Sequence, residues 1–246
     1  AKVTTGSRNI ALGFRALGGS DFYAGGLTTG ARNVAVGHYT LSLMTTASFN
    51  TALGGNAGYY NTSGANNTFL GAFAGYSSLS GNNNTAIGYY AMMGGYNGVG
   101  IITGSDNVAV GPNTLKALTS ANSNIAIGSS ALTKATSGGS NIAIGNSTLT
   151  DLTTGFGNSA IGTNALANIT TGFGNVGIGD STLFNALTSG NEIAIGSNAL
   201  TAFFGASGQP PNVAIGNQAL YACTTGIANI AIGYYALHDI TTGGTN

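Results

Sequence analysis

Apolar and polar positions along this chain follow neither a helical period nor a simple alternation. They follow a repeat of seventeen. The segment NIAIGSSALTKATSGGS, residues 124–140, is followed at once by NIAIGNSTLTDLTTGFG, residues 141–157. Taking the Asn that opens each N-x-A-x-G as position 1 places the anchors at Asn9, Asn33, Asn50, Asn67, Asn84, Asn107, Asn124, Asn141, Asn158, Asn175, Glu192, Asn212, Asn229 and Asn246. The intervals are 24, 17, 17, 17, 23, 17, 17, 17, 17, 17, 20, 17 and 17, so three coils carry extra residues and the rest keep one length. Nothing interrupts the series, and residues 1–246 read as a single repeat domain.

Stacking the coils gives columns. One coil supplies Asn124, Ala126, Ile127, Gly128 and Leu132 at positions 1, 3, 4, 5 and 9; the next supplies Asn141, Ala143, Ile144, Gly145 and Leu149. Position 4 is always Ile, Leu or Val. Position 5 is always Gly, position 8 is Ala or Thr, and position 15 is usually Gly. Positions 2 and 4 share one side of a short strand. Being apolar or Thr, they are expected to face inward, with the small position 3 turned out. Gly at 5 and 15 marks two corners, and Asn at 1 can bond to the backbone and to the Asn of the next coil as a ladder. Positions 6–12 fit either one helical turn or a second short strand. The small columns at 3 and 8 either admit the backbone of a second chain or simply fit a thin coil.

A seventeen-residue unit cannot bury its own apolar side, so stacking on its neighbours must complete the core. The expected fold is all-β: a parallel β-solenoid of about 13 coils, with short helical turns allowed. At ~4.8 Å per coil it would be roughly 60 Å long.

Composition sharpens this picture. Charged residues are only 5%, with six Lys plus Arg and six Asp plus Glu. A charged column would repeat at the rung spacing, where like charges repel by about 0.9 kcal/mol per pair even in water. Lys134 and Asp151 share position 11 of adjacent coils with opposite signs, whereas Arg8 and Arg32, both just before an anchor, break the rule. No basic footprint for nucleic acid is present. No run approaches the ~18 apolar residues of a membrane span.

Catalytic chemistry finds no foothold. His38 and His238 lie in coils far apart in the series, the six carboxylates are scattered over different columns, and Cys223 falls at position 12 among Leu152, Ile169 and Ile240, where it reads as a small buried apolar group. Neither an enzyme activity, a cofactor nor a metal is expected. The candidate contact residues sit instead on the three corner insertions at 18–26, 94–100 and 203–211, which carry Phe22, Tyr23, Tyr96, Phe203 and Phe204. Solenoids accept insertions at corners, and binding surfaces form there. Tyr89-Tyr90 and Tyr234-Tyr235, at positions 6 and 7, are a second candidate surface.

The coils NTAIGYYAMMGG (84–95), NIAIGYYALHDITTGG (229–244) and NTFLGAFAGYSSLSG (67–81) resemble the repeats of trimeric phage tail-fibre and adhesin-like proteins. The N-x-A-I-G core is also similar to the head repeat of trimeric autotransporter adhesins, whose units are shorter. The resemblance covers essentially the whole chain. It implies a β-roll or β-helix assembled as a parallel homotrimer in an extracellular attachment fibre, on a virion or a bacterial surface, that contacts a cell-surface glycan or protein receptor. Those repeats often precede a self-cleaving chaperone domain, which this sequence does not contain. Neither terminal coil reads as a polar cap, so a fragment of a longer shaft and end-to-end stacking into an extracellular filament are both expected arrangements. An ice-binding solenoid is a further reading, prompted by the many Thr and few charges.

Overall fold

The computed structural model describes residues 6–18, 29–95 and 100–244. The chain forms two compact units, Ala1–Ser123 and Asn124–Asn246. In the first, six three-residue strands follow one another: β1 (Ile10–Leu12), β2 (Val34–Val36), β3 (Thr51–Leu53), β4 (Thr68–Leu70), β5 (Thr85–Ile87) and β6 (Val108–Val110). Each pairs in parallel with the next, and register is kept across the insertions: Ala11 faces Ala35 and Ala86 faces Ala109. The second unit repeats the plan with β7 (Ile125–Ile127), β8 (Ile142–Ile144), β9 (Ser159–Ile161), β10 (Val176–Ile178), β11 (Ile193–Ile195), β12 (Val213–Ile215) and β13 (Ile230–Ile232). Each unit is a parallel β-solenoid, as the repeat predicts.

The direction of the strand faces is the reverse of the sequence expectation. Position 3 is the buried one: Ala35, Ala86, Ala126, Ala143 and Ala194 have no exposed surface, while Ile127 on the opposite side is 39% exposed. The reason is the width of the coil. Position 9 sends Leu, as at Leu132 and Leu149, into the same interior. Opposite a leucine, a seventeen-residue loop has room for a methyl group and not for a branched side chain. Ile, Val and Leu at positions 2 and 4 therefore point out. The small columns at 3 and 8 are likewise interior, with Ala126 and Ala131 both fully buried, so they fit a thin coil and offer no surface to a second chain.

Side-chain alternation puts positions 1 and 3 on the same side, and the anchor asparagines from Asn33 to Asn229 are accordingly buried. They form the expected ladder. The Asn141 backbone N–H and Nδ2 both donate to Asn124 Oδ1, at 3.0 and 3.1 Å, and Nδ2 also donates to the Gly155 carbonyl at 3.0 Å. The same set recurs at Asn158 and Asn175. A buried polar column is tolerated because each amide is satisfied.

Positions 6–12 are neither helix nor strand. They form a run of turns in which residues 7 and 9 are left-handed, as at Ser130 (φ 58°) and Leu132 (φ 50°). Backbone bonds run from rung to rung: Leu132 N–H donates to the Thr148 carbonyl and Ser147 N–H to the Ser129 carbonyl. A left-handed leucine costs roughly 1–2 kcal/mol, which the buried side chain and the inter-rung bond offset. At position 5 the backbone is more extreme. Gly145 has φ 140°, and a Cβ there would collide with the Gly162 carbonyl of the next coil, so only glycine fits. Buried position-8 hydroxyls are satisfied at this corner, as where Thr40 Oγ1 donates to the Gly54 carbonyl at 2.8 Å.

Candidate interaction surfaces

The outward strand face is the first surface. Position 4 presents an aliphatic side chain on every rung, with Leu53 (49%), Ile87 (38%), Ile161 (40%) and Ile178 (38%) among the most exposed within their units. Position 2 adds Ile125 and Ile142 in the second unit and Thr51, Thr68 and Thr85 in the first. No charged residue occupies a strand position. With rungs ~4.8 Å apart and three residues wide, the face covers roughly 300 Å² in plan on each unit. That is the size of the largest apolar patch on an ordinary monomer, a place where binding often occurs.

Aromatic rings form the second surface, on the first unit. Phe14 stacks on His38 at 5.4 Å, Tyr39 lies 6.0 Å from Tyr59, Tyr59 stacks on Tyr76 at 5.5 Å, and Phe73 meets Tyr90 at 5.2 Å. Lys116 Nζ lies 5.0 Å over the Tyr90 ring. The Tyr89-Tyr90 pair expected from sequence belongs to this array, its rings 3.9 Å apart. Tyr234 and Tyr235 of the second unit sit 4.4 Å apart, with Tyr235 stacked on His238. Positions 6, 7 and 10 lie over one another on successive rungs, so aromatics at any of the three meet across coils. That spacing rule was available in the sequence.

The corner residues fare differently. Phe22, Tyr23 and Tyr96 lie outside the described residues. Phe204 is 53% exposed, as a contact residue must be. Phe203 is a correction, because it is completely buried. It occupies position 12, the inward column that Leu152, Ile169 and Cys223 share, and the extra residues follow it. Around 94–100 the loop is closed at its base by Gly95 N–H donating to the Gly100 carbonyl at 3.0 Å.

Of the titratable groups, Lys134 and Asp151 pair across rungs at 2.8 Å, as the opposite charges in one column predict. Cys223 is buried and its thiol is pushed up by that burial. No group of three or more His, Cys, Asp or Glu that could hold a metal ion occurs among the described residues.

Glu192 is the one acid in the asparagine ladder. It is 1% exposed, its N–H donates to Asn175 Oδ1, and its Oε2 accepts from Asn212 N–H at 2.6 Å. Burial pushes its pKa up to about 7 from the ordinary 4.5, against the lowering effect of the Asn212 bonds. A carboxyl with a raised folded pKa stabilises fully below its unfolded value and loses that contribution as pH rises through the folded one. Stability should therefore fall by about 3 kcal/mol between pH 4.5 and pH 8, at 1.36 kcal/mol per unit. Glu192→Gln should flatten this slope and be the more stable protein at pH 8. Denaturant melts of both proteins at pH 5 and pH 8 check it, and equal slopes would refute the assignment.

The chain matches no protein-family model, no curated protein and no solved structure.

Proposed function

We propose that this chain is a non-enzymatic structural and adhesive module of an extracellular fibre, of the tail-fibre or surface-adhesin kind. Three copies of the chain pack side by side as a parallel homotrimer through the strand face, and the remaining sides are left for attachment. The observation that carries this reading is the outward column of Ile, Leu and Val at position 4. The interior is already filled by Ala, Leu and Asn, and a further column of aliphatics stands outside, where water is a poor partner for it.

Parallel packing of identical copies would place each aliphatic rung beside its own counterpart. It also fits the absence of charge from the strand positions, since a charge there would meet itself in the partner. The resemblance of the repeats to trimeric fibre proteins supports the same arrangement. A closed cyclic assembly would cover the face on every copy, leaving none exposed to drive aggregation.

Static light scattering on the purified chain tests this. The expected mass is three times the 24.2 kDa of one chain, persisting into moderate denaturant. A mass of 24.2 kDa at micromolar concentration would overturn the proposal.

A further inference from the structure

Two arginines stand where the rest of the repeat avoids them. Arg8 and Arg32 both occupy position 17, the residue before the anchor asparagine, on the first two rungs. Arg32 N–H donates to the Ser7 carbonyl at 3.0 Å, which fixes the two coils as neighbours. Both side chains are exposed. Their backbone is left-handed, φ 58° at each, as it is along the rest of this column at Phe49, Asn66, Asn83, Asp106, Ser123 and Ser140. The two cations are about one rung spacing apart at the backbone, ~4.8 Å, and like charges so placed repel. Among the described residues neither has a carboxylate partner. Charge repulsion is thus accepted here, in a chain that elsewhere minimises charge.

The rest of the column completes the setting. Phe49, half-exposed, occupies position 17 on the third rung, with the Arg32 guanidinium carbon 5.1 Å from its ring centroid. Asn66 and Asn83 follow, both exposed. Asp106 comes next, its Oδ1 accepting from Asn83 Nδ2 at 2.9 Å, and Ser123 ends the column in this unit. The order along the edge is cation, cation, aromatic, amide, amide, carboxylate, hydroxyl.

We infer that this edge of the first unit, Arg8, Arg32, Phe49 and Asn66, binds an acidic polysaccharide. The paired guanidinium forks take the oxyanions, carboxylate or sulfate, in bidentate bonds. The phenyl face takes a sugar ring, and the amide its hydroxyls. Two arginines are too few for a nucleic-acid backbone, which demands a dense basic track. The exposed amides and hydroxyls beside them suit a hydrated glycan better than a lipid surface. The inference deepens the attachment reading above and rests on it, naming the chemistry of what is attached.

Surface plasmon resonance of the full chain over dextran sulfate, polygalacturonate, neutral dextran and phosphatidylglycerol vesicles tests it. Wild type should bind one or both acidic glycans, weakening with added salt, and should bind neutral dextran at least tenfold less. R8S/R32S, which installs the serine that position 17 carries at Ser123 and Ser140, should lose at least tenfold. R8K/R32K should fall between, because charge is kept and the fork is lost. Equal binding by R8S/R32S and wild type, no preference over neutral dextran, or binding to vesicles alone would each overturn the inference. Light scattering on R8S/R32S separates this outcome from the assembly reading: an unchanged mass with lost glycan binding isolates the arginines.

Discussion

Asn141→Ala should cost about 4 kcal/mol of stability. The substitution deletes four hydrogen bonds at once. Asn141 Nδ2 donates to Asn124 Oδ1 and to the Gly155 carbonyl, and its Oδ1 accepts from the backbone N–H and Nδ2 of Asn158. The Asn141 backbone N–H still reaches Asn124 Oδ1, so two buried groups are left without these partners: the Gly155 carbonyl and the Asn158 N–H. Orphaning a buried polar group costs roughly 1–3 kcal/mol each, and alanine adds nothing to offset that. The exposed Asn146→Ala in the same coil should change stability by under about 0.5 kcal/mol. Urea melts of both variants make the comparison. A loss below about 2 kcal/mol for Asn141→Ala would mean that water enters the ladder and replaces the amide.

Phe69→Ala should cost about 3–5 kcal/mol, as large-to-small changes in a packed interior do, and the repeat itself contains the repair. Phe69 is the one aromatic at position 3, where other coils have Ala or Gly. It is fully buried. Position 9 is Gly on its own coil and on the preceding one, at Gly75 and Gly58, where other coils have Leu or Met. A Cβ on Gly58 would lie 2.7 Å from Phe69 Cδ2, and one on Gly75 would also fall against the ring. The phenyl ring thus fills the space of two leucine side chains.

Restoring the common pattern with F69A/G58L/G75L should bring stability back to within about 2 kcal/mol of wild type. The residual loss comes from placing leucine in the left-handed backbone at 58 and 75, φ 59° and 60°, at up to about 1–2 kcal/mol each, against the cavity it fills. The backbone there already matches that of Leu41 and Leu132 at φ 47° and 50°. Thermal melts of wild type, Phe69→Ala and the triple variant decide the matter. A triple variant less stable than Phe69→Ala would show that the three residues are not a size-compensated set.

These cases mark what could be read from residues alone. The period, the coil stacking, the asparagine ladder, the buried Cys223 and the Lys134–Asp151 pair all follow from position numbering, because equivalent residues on successive rungs must lie over one another. Which side of the strand faces in does not follow from hydrophobicity, since both sides carry apolar residues. Size is what decides it, and the signal was present. Phe69 is matched by two missing leucines at position 9, which is possible only if positions 3 and 9 share one interior. The shape of positions 6–12 was not legible, because alternating left-handed residues are rare for Leu and Ser and leave no periodic trace in composition. Phe203 was misplaced by treating it as the start of an insertion when it is the last regular residue before one.

The candidate surfaces were harder to read for a related reason. An exposed isoleucine column and a buried one have the same sequence. Only the observation that the interior is already full assigns Ile127 and its counterparts to the outside.

The most direct test of that central point is the mass of a variant charged on the strand face. Ile127→Lys/Ile161→Lys places two cations on the outward side of β7 and β9. Lysine there is tolerated by a single solvated solenoid and not by a dry interface. The account predicts that this protein keeps the far-ultraviolet circular dichroism of wild type and scatters light as a 24.2 kDa monomer, while wild type and an Asn146→Lys control remain three times as heavy. A doubly charged variant with undiminished mass would contradict it.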